Sequence, residues 1–215
     1  LVLQPPVASN FREGLEGILS QALISQFPAH PEFEDDTQLT KGSLAKVLDV
    51  VRAAVRDPGG VTRVELPDRK HMLRIAVPLR LGEMGENRFQ VGHQWRQHFA
   101  KRIAQHGPAA QPLTVKKLRE WIDDPTPMGL LPGLQDLVVL TFAEQTDRYL
   151  TLHGTPIQPD IGELNDEAVL HETELPAPDA WNRARELGKA IFGVDSSPLL
   201  NAGNLASLAA SIRTV

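Results

Sequence analysis

Few residues of this 215-residue chain are spaced for chemistry. His30, Glu32, Glu34, Asp35 and Asp36 crowd into a short stretch, a composition that would suit a divalent cation. Their spacing matches neither an oxygen-ligand calcium loop nor two histidines one helical turn apart, so the stretch reads as a solvated linker with Phe27 and Phe33 turned to the core. His93, His98 and His106 also lack helical ligand spacing and read as surface or rim residues. The chain has no G-x-x-x-x-G-K-[ST], no G-x-G-x-x-G and no G-x-S-x-G. The apolar run Leu137–Leu140 resembles the strand of a Walker B motif. Thr141-Phe142-Ala143 follows it where an acid is needed, and its neighbours are helical. Carboxylates are plentiful, but no pair is spaced as a general acid and base, and nothing selects a Ser/His/Asp set. With no cysteine, disulfides and thiolate metal sites are excluded. The expectation is no catalytic, metal or cofactor-binding residue in this chain.

What remains is charge. The net charge is −5, but its distribution is uneven. Residues 63–119 hold 12 Lys/Arg against 4 Asp/Glu, while 120–215 hold 5 against 15. A basic middle between acidic flanks can present a face to nucleic acid or to an acidic partner. The candidate contacts are Arg96, Lys101, Arg102, Lys116, Lys117 and Arg119. Alternatively, the segments neutralise each other in the fold, and the chain is a structural scaffold with internally paired charges. Lys116 and Lys117 fall in the first turn of a helix, where the macrodipole disfavours cations by a few tenths of a kcal/mol.

The elements that position these side chains are mainly helical. Asn10 and Glu13 have capping-box spacing ahead of a helix to about Gln26, with Phe11, Leu15, Ile18, Leu19 and Ala22 on one stripe. Lys41–Asp57 is a second amphipathic helix, stopped by Pro58-Gly59-Gly60. Val61–Leu66 alternates as a short strand. Asp68–Leu81 reads as a helix that Pro78 must kink or end. Gly82, Gly85 and Asn87 mark a loop, and Arg88–His106 reads as a helix with Trp95, Phe99 and Ile103 inward. Thr114 caps a helix to Asp123 with Val115, Leu118, Trp121 and Ile122 inward. After a Pro/Gly-rich turn, Leu134–Ala143 is too apolar all round to face water. Arg148–His153 is strand-like. Ile161–Leu175 has loose helical spacing. Asp179 caps a helix with Trp181, Ala184, Leu187 and Ile191 inward, and Asn201–Ile212 is the last helix.

The fold class expected is therefore mainly α: multi-helical, with a winged-helix-like module over Pro112–Pro156 and a few short β-strands. The linker 107–112 divides an N-terminal helical subdomain, 1–107, from a winged-helix-like and C-terminal helical subdomain, 108–215. No apolar run approaches the ~18 residues of a membrane span. The chain starts at Leu1 and stops in an uncapped apolar helix, so both ends read as cut from a larger protein.

Three stretches carry a resemblance. They are Phe27-Pro28-Ala29-His30-Pro31-Glu32-Phe33; Leu118-Arg119-Glu120-Trp121-Ile122-Asp123-Asp124-Pro125 with Met128-Gly129-Leu130; and Asp136 to Gln145, DLVVLTFAEQ. Over most of residues 20–213 the chain resembles a region outside the nucleotide-binding core of the large P-loop ATPases of bacterial phage-defence systems, the phage growth limitation or BREX type. The resemblance implies a multidomain cytoplasmic ATPase that works beside a DNA methyltransferase, a phosphatase-like protein and sometimes a kinase. The ATP site of that family has no counterpart here, so the implied role is non-catalytic: contact with DNA or with sister defence proteins.

Overall fold

The computed structural model describes residues 10–34, 37–106 and 112–214. About 53% of it is helical, with eight helices and two small three-stranded antiparallel sheets among the described residues. The mainly α expectation therefore holds.

α6 (Pro132–Gln145) is the centre. Leu134 and every residue from Asp136 to Ala143 are buried, so this helix is covered on all sides. The absence of any polar face in its sequence requires this, because an all-round apolar helix can stay out of water only inside a core. α2 (Lys41–Arg56) lies along it through Leu44, Val47, Leu48 and Val51. Thr40 and Ser43 cap α2 reciprocally: Thr40 Oγ1 accepts from Ser43 N, and Ser43 Oγ accepts from Thr40 N. The core is continuous and draws residues from both halves of the chain, including Met72, Phe89, Phe99, Leu118, Leu137 and Leu170. The expected boundary between 107 and 108 lies outside the described residues.

The first sheet has the order β1-β3-β2, from β1 (Val61–Arg63), β2 (Gly82–Met84) and β3 (Arg88–Val91). Two expectations are corrected here. Gly82–Met84 is a strand, not a loop. Arg88–Val91 is its partner, so the next helix, α4, runs only over Gln94–His106. The pattern of β3 explains this: Phe89 and Val91 are buried while Arg88 and Gln90 are exposed, a period of two that a helix cannot use. Between β1 and β2, α3 (Leu66–His71) passes into a π-helical turn, Met72–Ala76, and helix stops before Pro78.

The second sheet has the order β5-β4-β6, from β4 (Arg148–Leu152), β5 (Thr155–Ile157) and β6 (Val169–Glu172). His153 and Gly154 both have positive φ, 50° and 81°, the geometry that a two-residue hairpin needs. Val169–Glu172 corrects the helical reading of Ile161–Leu175. Isolated Leu164, Val169 and Leu170 do not make a stripe, and Leu170 N donates to Leu113 O, which ties β6 to the entry of α5 (Val115–Ile122).

α7 (Pro178–Phe192) and α8 (Ala202–Arg213) close the chain. The cap of α7 is Ala177, with Pro178 and Asp179 in its first turn, and Gly193 ends it in the left-handed conformation. Of its expected inward stripe, Trp181 is buried, but Ala184, Leu187 and Ile191 are exposed. α1 (Phe11–Gln26) departs from expectation in the same way, with Phe11, Leu15 and Leu19 exposed. α8 is fastened by two buried amides. Asn201 Nδ2 donates to Val55 O at 3.2 Å and Asn204 Nδ2 to Arg56 O at 3.0 Å, satisfying carbonyls at the open end of α2.

Candidate functional site

The candidate contact residues stand on α4 and α5. The aromatic side of α4 fixes its orientation. Trp95 Nε1 donates to Leu79 O at 2.8 Å, and Phe99 packs against Trp95 and edge-on to Phe142, with ring centroids 4.9 Å apart in the second pair. Arg96 and Lys101 are thereby turned to solvent. Neither has an acidic partner among the described residues, and Lys116, exposed on the first turn of α5, has none either.

The other three candidates are engaged. Arg102 pairs with Asp124 at 2.9 Å, so α4 is tied to the end of α5, beside the contact of His98 Nε2 with Trp121 O at 2.7 Å. Lys117 Nζ lies 5.4 Å from the centroid of the Trp121 ring, one turn on. Arg119 is turned inward. Its Nη2 donates to Asp136 Oδ1 at 2.5 Å and to Leu164 O at 3.0 Å, and its Nη1 to Asp166 Oδ1 at 2.5 Å. Asp136 also accepts from Gly162 N at 2.8 Å. One guanidinium thus joins α5, α6 and the loop before β6, with the Asp136 side chain only 1% exposed.

Sequence reading missed Asp136. A lone carboxylate inside DLVVLTFA was its signal, since a buried charge needs a partner of opposite sign. The turn after α5 has a similar anchor: Asp123 Oδ1 accepts from Met128 N at 2.8 Å and Gly129 N at 3.1 Å. The linker after α1 is stitched to that turn by Ala29 N to Pro127 O at 3.2 Å and by His30 Nδ1 to Met128 O at 2.7 Å. His30 is therefore a packing contact. Asp35 and Asp36 lie outside the described residues, and no group of three metal-ligating side chains occurs among the described ones.

Among the described residues, one pair of groups is clearly shifted in its ionisation. Lys41 Nζ and Glu163 Oε1 are 2.6 Å apart on the surface. The hydrogen bond between them, then their mutual charge, lowers the Glu163 carboxyl, and the same hydrogen bond raises the Lys41 ammonium. No described helix is long and apolar enough to cross a membrane.

No solved structure matches this chain. Residues 42–143, from the start of α2 nearly to the end of α6, match the family model described as the BREX System ATPase PglY protein 5th domain. A fifth domain is compatible with a non-catalytic region. The resemblance read in the sequence is thus borne out over residues 42–143, which match a region of the BREX phage-defence ATPase.

Proposed function

We propose that this chain is a non-catalytic contact domain of its defence ATPase and that it meets the DNA backbone through Arg96 and Lys101 of α4 and Lys116 of α5. The observation behind this reading is their exposure without acidic partners among the described residues, beside cations that are paired. Arg102, Lys117 and Arg119 hold α4 and α5 in place for them. ATP belongs to the rest of such an ATPase, in the cytoplasm beside the other defence proteins, and this chain takes no cofactor. We also read α5, α6 and the β4–β5 hairpin as a winged-helix-like module. Its order of helix, turn, helix and hairpin supports the reading, and burial of α6 makes it a module that holds rather than one that reads bases.

Retention of duplex DNA at about 50 mM salt, with a log–log salt slope that falls by close to 0.9 for each of Arg96→Gln, Lys101→Gln and Lys116→Gln, is the expected result. A chain that retains no DNA at that salt overturns the reading. Scaffolding then stands in its place, favoured by Arg102–Asp124 and by Arg119 with Asp136 and Asp166, which pair the basic middle with the acidic part after it.

A further inference from the structure

The cations of α4 are arranged around its axis in a way that contact with one backbone does not use. Between Glu86 and Glu120 the chain has no acid at all. Asp124 reaches α4 from the end of α5, and it is paired with Arg102 at 2.9 Å. Trp95, Phe99 and Ile103 turn one side of the helix to the core. Arg96, Gln97, Ala100, Lys101 and Ala104 are left exposed on the other side. At about 100° per residue, Arg96 and Lys101 stand about 140° apart around the axis, and Gln97, Ala100 and Ala104 fall between them. The middle of this face is therefore uncharged: one amide and two methyl groups, with a cation to either side.

That pattern selects among the ways in which a helix can meet nucleic acid. A helix laid along a single backbone gains most from cations in the middle of its face, because every phosphate lies in front of it. A helix set into the major groove of B-DNA has a row of phosphates on either side and base edges in front. The groove is about 12 Å wide, and a helix with its side chains is about 10–12 Å across. In that setting Arg96 meets one backbone and Lys101 the other, and the small side chains of Ala100 and Ala104 let the helix approach the base edges. Gln97 is the hydrogen-bonding group that stands between the two cations. Its side-chain amide offers one donor and one acceptor side by side, the complement of the adenine edge in this groove.

We propose that α4 sits in the major groove of duplex DNA and that Gln97 reads an adenine there. Gln97 Nε2 donates to adenine N7, and Gln97 Oε1 accepts from the adenine 6-amino group. This rests on the DNA contact proposed above and adds a sequence preference to it. Reading then falls to α4, and holding to the module of α5, α6 and the β4–β5 hairpin.

The test is selection from a pool of random duplexes at about 50 mM salt, with the retained duplexes sequenced and their affinities measured by fluorescence anisotropy. A short motif containing adenine is expected to be enriched. The enriched duplex binds about 5- to 150-fold more tightly than the unselected pool, the range that one bidentate base contact supplies. Gln97→Ala removes that margin and leaves the affinity for the unselected pool and its salt slope unchanged. Replacing the enriched adenine by 7-deazaadenine deletes the N7 acceptor and leaves the protein unaltered. It weakens binding by the unaltered chain and has no effect on Gln97→Ala. Arg96→Gln weakens binding to every duplex and lowers the salt slope by about 0.9. Retention without an enriched motif overturns base reading while backbone contact stands. So does an enriched motif that Gln97→Ala or 7-deazaadenine leaves as tightly bound. A chain that retains no duplex overturns both.

Discussion

Arg119→Met is the sharpest test of how the basic middle is used. The substitution keeps the apolar stem and removes the guanidinium, leaving Asp136 buried with only the Gly162 N–H. Stripping one partner from a buried pair costs about 3–5 kcal/mol, because a charge is left in the interior without compensation. Total stabilities of about 5–15 kcal/mol make that a large fraction. Asp166→Asn touches the outer arm of the same network, where the carboxylate is 53% exposed, and costs under about 1 kcal/mol. Arg119→Met/Asp136→Leu removes both charges. Its main remaining loss is the acceptor of Gly162 N–H, worth about 1 kcal/mol, so the double variant is more stable than Arg119→Met by about 2–4 kcal/mol. Urea unfolding followed by circular dichroism at neutral pH measures all three. The reasoning is refuted if Arg119→Met costs no more than Asp166→Asn, or if the double variant loses the sum of its single substitutions.

Four further outcomes follow from the packing. Gly129 has φ +58°, and a Cβ there would lie 2.5 Å from the Phe27 ring, so Gly129→Ala lowers stability by about 2–3 kcal/mol, with part recovered by adding Phe27→Ala in the same melts. Phe99→Ala, which empties the space between Trp95 and Phe142, costs about 3–5 kcal/mol by the same measurement. Leu19→Gln on α1 and Ile191→Gln on α7 change stability by less than about 0.5 kcal/mol, because both side chains already face water; a larger loss in urea melts means that they are covered. An NMR titration finds the Glu163 carboxyl below the ordinary glutamate range, and Lys41→Met returns it there. A lowered folded value means that this pair stabilises the chain above the ordinary glutamate value and stops doing so as pH falls through the lowered one; a Glu163 that titrates normally refutes the pairing.

The helices were legible where burial and capping agree. α2 and α5 begin where Thr40 and Thr114 accept from the third residue on, and both bury the stripes their spacing implies. α6 was legible from hydrophobicity alone. The first sheet was hidden because its strands have three or four residues and long-range partners, and Arg88–Val91 runs straight towards a real helix with no apolar gap. The helix-like spacing of Asp68–Leu81 concealed a change from α to π hydrogen bonding at Met72–Ala76, ahead of the buried Leu79 and Leu81. α1 and α7 mislead for a different reason: an apolar stripe records what a helix is suited to cover, and Phe11, Leu15 and Leu19 of α1 and Leu187 and Ile191 of α7 stay exposed although Trp181 is buried. At the candidate site, the sequence shows where cations stand but not which acids come to meet them. Arg119 and Asp136 are neighbours through the fold, with the turn 123–130 between them, whereas Asp166 arrives from beyond the second sheet's first hairpin.

The full burial of α6 also has a consequence during synthesis. α2 ends at Arg56, while the helix that covers its apolar side ends only at Gln145. At ~5–20 residues per second, roughly 4–18 s separate their appearance from the ribosome. Through that interval α2 can meet only its partners between residues 61 and 91, and its surface against α6 stays uncovered. Pauses placed between residues 91 and 145 lengthen the exposure of that surface.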